Sequence, residues 1–209
     1  MPVDFNLYLI TDRLQAKSGN LANIIEQALQ GGVRAVQLRE KDLSAGELFE
    51  LAVELRRITS RYGARLLIND RADIALAAGA DGVHLPGNAI PIDAARSFLG
   101  SDRLIGVSCH SLECAVTAQR KGADFITFGP VFFTQSKVAY GEPSGLGKLA
   151  QTAAALKIPV FGLGGINNGN ARQVMAAGVR GIALISAIIA AEQPQIAAAE
   201  ILETIHQSL

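Results

Sequence analysis

Four stretches of the chain share one pattern: GGVRAVQL at Gly31–Leu38, AGADGVHL at Ala78–Leu85, KGADFITF at Lys121–Phe128 and AGVRGIAL at Ala177–Leu184. Each reads as a helix end, a glycine and a strand. The glycine stands where a helix needs a left-handed residue before the chain turns into the next strand. Outward from the copies, a further short apolar run lies between each pair. The strands read this way are Leu7–Thr11, Ala35–Leu38, Arg65–Ile68, Gly82–Leu85, Leu104–Val107, Phe125–Phe128, Val160–Gly162 and Gly181–Leu184. Several are continuously apolar, as parallel strands covered on both faces are. Between them lie helical stretches at Leu21–Gln30, Ala45–Arg61, Ser111–Lys121, Leu146–Leu156, Asn170–Ala177 and Gln195–Ser208, with shorter pieces after Asp70 and Pro91. Asn20 is placed to cap the first, and Ser44 with Glu47 has capping-box spacing at the second. Eight strands leave roughly 26 residues per unit, which predicts a single (β/α)8 TIM barrel over residues 1–209. No GxGxxG follows the first strand, which argues against a doubly wound open sheet.

Composition narrows the function. Lys plus Arg number 19 against 19 Asp plus Glu. That balance points away from nucleic acid and anionic membranes, both of which call for a basic excess. With 49 % hydrophobic residues and no net charge the chain is not disordered. Cys109 and Cys114 fit neither a CxxC redox pair nor a zinc knuckle, so free thiols in a reducing cytoplasm are expected. The first ten residues lack a basic n-region, and Gly181–Ala191, the longest apolar run, is about half of what a bilayer span needs. A cytoplasmic protein is expected. Apolar residues on the outer helices leave room for a homodimer.

In a (β/α)8 barrel chemistry takes place at the C-terminal ends of the strands, and polar residues stand at one strand end after another. Tyr8 lies near the first. In Gln37-Leu38-Arg39-Glu40-Lys41, alternation sends Gln37, Arg39 and Lys41 to one side. Two cations and an amide facing one cavity suit an anionic ligand; alternatively, Arg39 and Lys41 bridge to nearby acids such as Glu40. Asn69-Asp70 opens a helix, so Asp70 has a role available as an N-cap and another as a ligand for a hard cation. Ser108-Cys109-His110 ends the fifth strand. The longest loop carries Thr134, Ser136 and Lys137 between glycines, and hydroxyls with a lysine in a loop can close over a phosphorylated substrate. Its Phe132-Phe133 pair reads as packing. Gly164-Gly165 and Ile185-Ser186 follow the last two strands, where loops and the start of a short helix frequently seat phosphate on backbone N–H groups. His84 and His110 lack partners at metal-ligand spacing.

Together these motifs resemble the thiamine phosphate synthase family and its relatives, the thiazole tautomerases. They are YLITD at Tyr8–Asp12, VQLREKD at Val36–Asp42, LINDR at Leu67–Arg71, ADGVHL at Ala80–Leu85, GVSCH at Gly106–His110, GPVFFTQSK at Gly129–Lys137, GLGGI at Gly162–Ile166 and ISAI at Ile185–Ile188. The resemblance implies a transferase of thiamine biosynthesis that joins hydroxymethylpyrimidine diphosphate to a thiazole phosphate and releases diphosphate. It implies that Gln37 contacts the pyrimidine and that Arg39, Lys41, Asn69, Ser108 and Lys137 hold the diphosphate. Asp70 would bind Mg²⁺, and Thr134 and Ser136 would lie against the thiazole and leaving group. Gly165, Ile185 and Ser186, beside Gly164, would seat the thiazole phosphate. The partners implied are small phosphorylated substrates.

Three positions depart from the pattern the resemblance carries. The synthases' HLGQxD is His84-Leu85-Pro86-Gly87-Asn88-Ala89, which puts Ala89 where a second Mg²⁺ carboxylate stands. The usual TxTK is TQSK, and the usual Pro of FPT is Phe133. The HLP start is similar to the tautomerase branch, whereas Pro130 stands as in the synthases. Synthase chemistry leads because Arg39, Lys41, Asp70 and Lys137 form a nearly complete diphosphate cluster. A thiazole-phosphate tautomerase and a non-catalytic binder of thiazole or thiamine phosphate are the alternatives.

Overall fold

The computed structural model describes residues 1–17, 20–134 and 142–208. Its strands are β1 (Leu7–Ile10), β2 (Ala35–Leu38), β3 (Arg65–Asn69), β4 (Gly82–Leu85), β5 (Leu104–Cys109), β6 (Phe125–Phe128), β7 (Val160–Leu163) and β8 (Gly181–Leu184). All neighbours are parallel and in sequence order, and β1 pairs with both β2 and β8, so the sheet closes. Around it run α1 (Leu21–Gln30), α2 (Ala45–Arg61), α3 (Ala72–Ala77), α4 (Ile92–Leu99), α5 (Leu112–Arg120), α6 (Gly145–Ala155), α7 (Ala171–Met175), α8 (Ser186–Ile189) and α9 (Pro194–His206). The expected (β/α)8 barrel is the fold. The short α8, and a 3₁₀ turn at Arg13–Gln15, are additions to the elements expected.

Local chemistry sets the helix starts. Ser44 Oγ accepts from the Glu47 amide, and Glu47 accepts from the Ser44 amide at 2.9 Å, closing the capping box of α2. Asn20 caps α1 by accepting from the Asn23 amide at 2.9 Å. At α3 the expectation fails: Asp70 is not the cap. Arg71 precedes the helix, with no side-chain cap bond. Asp70 itself adopts a left-handed backbone, φ 64°, a conformation that Asp tolerates better than most residues. Its amide is held by the His84 carbonyl at 2.9 Å.

Two apolar layers follow from strand alternation. Residues such as Val36, Ile68, Val83 and Ile105 face the helices and form the main core with them. Phe5, Tyr8, Leu67, Leu104, Phe125 and Phe161 fill the barrel interior. Phe5, Phe125 and Phe161 pack with ring centroids 5.2–5.6 Å apart. A Cβ on Gly106 would collide with the Phe125 ring and with His84 Nδ1, so this position must be bare for the ring to fit.

At the N-terminal ends of the strands, Asp81 Oδ2 accepts from the Leu66 amide at 2.8 Å and from Arg56 at 2.6 Å. Asp124 Oδ2 repeats the arrangement, accepting from the Ile105 amide and from Arg96, both at 2.6 Å. The aspartates of the two GAD copies thus tie the start of one strand to a surrounding helix.

Candidate active site

At the opposite end the strand termini surround a cavity of about 760 Å³. The seventh residue of each repeat copy, Gln37, His84, Thr127 and Ala183, points inward and lines it. Arg39, Lys41, Asn69, Ser108, Thr134, Gly164, Gly165, Ile185 and Ser186 complete most of the expected set. The structure therefore brings together side chains from six different strand ends.

Two expected residues stand elsewhere. Tyr8 is fully buried one layer below and does not line the cavity, because alternation puts Ile10 at that level of β1. Asp70 is exposed beside Asn69 and is not a lining residue. Ser136 and Lys137 lie outside the described residues. Phe133, expected to pack, is instead 67 % exposed at the cavity, while Phe132 packs on the core.

The LREKD stretch divides its charges between two tasks. Buried Glu40 receives the Arg13 amide on both carboxylate oxygens at 3.1 Å. Asp42 takes the Arg13 guanidinium in a two-pronged pair at 2.7 and 2.8 Å. Burial raises the Glu40 carboxyl above its ordinary range, against the Thr11 and Arg13 contacts that lower it. The acids that were candidates to neutralise Arg39 and Lys41 are thus engaged with Arg13. Among the described residues neither Arg39 nor Lys41 forms an ion pair, and no Asp or Glu lines the cavity. Two cations without a resident counter-charge make an anion-receiving surface.

Beneath them runs a directional polar network. Gln37 Nε2 donates to Tyr8 Oη at 3.1 Å, and Tyr8 Oη lies 3.4 Å from His84 Nδ1. His84 Nε2 is 3.0 Å from Ser108 Oγ and 3.4 Å from Thr127 Oγ1. Burial, then the Arg39 charge, push His84 down to about 3, so the imidazole is neutral. Burial also drives the Tyr8 phenol upward, which keeps it a hydroxyl donor. Were Tyr8 to donate to Nδ1, the imidazole proton would sit on Nε2, within reach of Ser108 Oγ and Thr127 Oγ1. Gln37 is fixed by the same chain.

The other wall is backbone. Gly164 and Gly165 have φ of 100° and 67°, and side chains there would strike Pro130 and the Phe132–Phe133 backbone. The segment after β6 crosses them, with the Val131 amide on the Leu163 carbonyl at 2.9 Å and the Phe132 amide on the Gly164 carbonyl at 3.0 Å. Ser186 begins α8 at the end of β8.

Sequence reasoning missed Thr127 as a lining residue and gave His84 no role. The signal was the shared place of Gln37, His84 and Thr127 in the repeat. Gln15, from the 3₁₀ turn, and Asn167, from the loop after β7, also line the cavity in segments that carry no such pattern.

For a divalent cation the fit is partial. Among the described residues no cluster of three His, Cys, Asp or Glu side chains is placed to hold a metal ion. Asp70, exposed beside the lining residue Asn69, is one carboxylate, and Ala89 supplies none. One carboxylate suits Mg²⁺ only where phosphate oxygens and water complete its shell.

A closed barrel whose strand ends gather bare backbone and two cations unpaired among the described residues belongs to the (β/α)8 class and suits an anionic ligand. The model of the family described as thiamine monophosphate synthase matches residues 7–188. A thiamine-phosphate synthase of Clostridium novyi strain NT is 45 % identical over 189 residues, 90 % of this chain and 93 % of that one. A Geobacter sulfurreducens protein, itself only provisionally assigned as a thiamine-phosphate synthase, is 62 % identical over 193 residues, covering 92 % and 91 %. Among solved structures, thiamine phosphate pyrophosphorylase from Pyrococcus furiosus superposes with TM-score 0.90 at 38 % identity, covering 98 % and 97 %. The chain belongs to the thiamine monophosphate synthase family, and so to the transferases.

Proposed function

We propose that this enzyme joins the methylene carbon of hydroxymethylpyrimidine diphosphate to the ring nitrogen of a thiazole phosphate, releasing diphosphate. The observation that carries the reading is the pair Arg39 and Lys41, facing a cavity that no Asp or Glu lines among the described residues. Negative charge develops on the leaving diphosphate as the C–O bond breaks, and fixed cations beside it lower the barrier. Ser108, beside His84, and Asn69 would add donors to the same oxygens, with Lys137 joining them. Gln37 would read the pyrimidine edge. Thr134 and Ser136 would lie against the thiazole and the leaving group. Gly164, Gly165, Ile185 and Ser186 would receive the thiazole phosphate, where the absence of side chains on the two glycines lets an anion approach the backbone. A cavity of about 760 Å³ is of the size that holds small ligands.

Mg²⁺ would be held by Asp70 together with the diphosphate, and when bound it supplies charge neutralisation to the leaving group. No helix among the described residues is long and apolar enough to cross a membrane. The reading includes a cytoplasmic location and small phosphorylated substrates. The test is direct: purified protein, both substrates and Mg²⁺, with thiamine phosphate measured by chromatography. Product is expected, and its absence would remove the synthase reading. Ala89, in place of a second carboxylate, favours one alternative. A thiazole-phosphate tautomerase needs no metal and would aromatise the thiazole tautomer with no sensitivity to EDTA.

A further inference from the structure

The two cysteines, five residues apart and unremarkable in sequence, meet in the fold. Cys109 ends β5 with its side chain outward, between the strand and α5, whereas its neighbour Ser108 points inward to His84. Cys114 lies in the first turn of α5, its amide held by Ser111 Oγ at 3.1 Å. Cys114 Sγ is 3.2 Å from Cys109 Sγ, and both are free thiols. Cys109 is fully buried and Cys114 half-buried, so only Cys114 offers an approach from solvent.

We propose that Cys109 and Cys114 form a reversible dithiol–disulfide couple, oxidised by small disulfides through Cys114, and that its closure displaces the end of β5, which bears Ser108, and the turn into α5, which bears His110. The Cys114 thiolate attacks the small disulfide, expelling one thiolate and forming a mixed disulfide. Cys109, deprotonated, then attacks Cys114 Sγ and expels the second. Two protein thiols lose two electrons and two protons, and one small disulfide becomes two thiols. Burial and the Cys114 contact hold the Cys109 thiol well above its ordinary range, so Cys109 is the resolving rather than the entering thiol. A bond of about 2.05 Å requires the two sulfurs to close by roughly 1 Å. Ser108 is adjacent to one of them, and His110 Nδ1 is bonded to the Gly129 carbonyl at the cavity. Displacements of about 1 Å in positioning groups can cost up to a hundredfold in function.

The coupling to the site rests on the proposed function; the thiol chemistry does not. Native protein is equilibrated with reduced and oxidised glutathione, quenched in acid and weighed intact. Wild type should lose two hydrogens, reversibly with dithiothreitol, and Cys114→Ser should not. An unchanged mass, or a glutathione adduct that persists, would overturn the couple. Inorganic diphosphate binding by calorimetry should be weakened about tenfold in the oxidised protein. Cys114→Ser should bind as reduced wild type does in either buffer. Hydrogen exchange of the Ser108–Leu112 backbone reads the turn without any ligand and should change on oxidation. If exchange and affinity are both unmoved, the coupling is wrong even where the disulfide forms. If diphosphate fails to bind the reduced protein while exchange responds, the proposed function fails and the couple stands.

Discussion

The two ends of the barrel use charge in opposite ways. At the N-terminal end, Asp81 and Asp124 are each satisfied by a strand amide and an arginine from a neighbouring helix. At the C-terminal end, Arg39 and Lys41 stand without a counter-ion among the described residues, and the acids beside them serve Arg13. A closed pair stabilises the fold and is silent in chemistry; an open cation adds nothing to the fold and is available to a ligand. The same residue types therefore answer to different measurements according to the end they occupy.

That contrast can be broken most sharply at Arg39. Arg39→Ala should lower kcat/KM by on the order of a hundredfold or more, about 3 kcal/mol of transition-state stabilisation. Thermal unfolding should be nearly unchanged, because no ion pair is lost. A fall in Tm matching the fall in activity would show that the open end is structural after all. Asp81→Ala is the mirror experiment. It strands the Leu66 amide and removes the carboxylate of Arg56, a loss of about 3 kcal/mol. Each kcal/mol lowers Tm by roughly 2–4 °C in a chain of this size, while KM and kcat measured well below the transition should stay within twofold.

A third measurement sharpens the contrast from inside. His84 is held neutral down to about 3 against an ordinary value of 6.5. Between those pH values the unfolded chain binds a proton that the folded one refuses. Stability is complete above 6.5 and declines as the pH falls toward 3, by at most about 1.4 kcal/mol per pH unit. Urea unfolding of His84→Gln between pH 4 and 6 should show a shallower slope than wild type. Equal slopes would mean the imidazole is not buried uncharged.

The strands were legible because both faces of each are covered, which leaves continuous apolar runs with glycine at their borders. Phe125–Phe128 and Gly181–Leu184 coincide with the expectation at both ends. The bounds of α1 and α2 were legible through Asn20 and Ser44. The four-residue α8 was not, because a single turn has no periodicity to read. At the site, alternation in QLREK correctly separated Gln37, Arg39 and Lys41 from Glu40. It could not show that Glu40 and Asp42 belong to Arg13, a contact made 27 residues or more away. Asp70 looked like a cap because Asp so often is one; its left-handed backbone depends on the His84 carbonyl of the next strand. Likewise the meeting of Cys109 with Cys114 depends on how α5 leaves β5, which spacing alone does not encode.

The aromatic stack of Phe5, Phe125 and Phe161, with Tyr8 above it, has one further consequence. It seals the floor, so the cavity is a cup with a single opening and not a tube. Two reactants cannot arrive from opposite sides, and nothing can drain through the bottom. Both reactants and both products of the proposed reaction would therefore pass through the one mouth at the C-terminal ends of the strands.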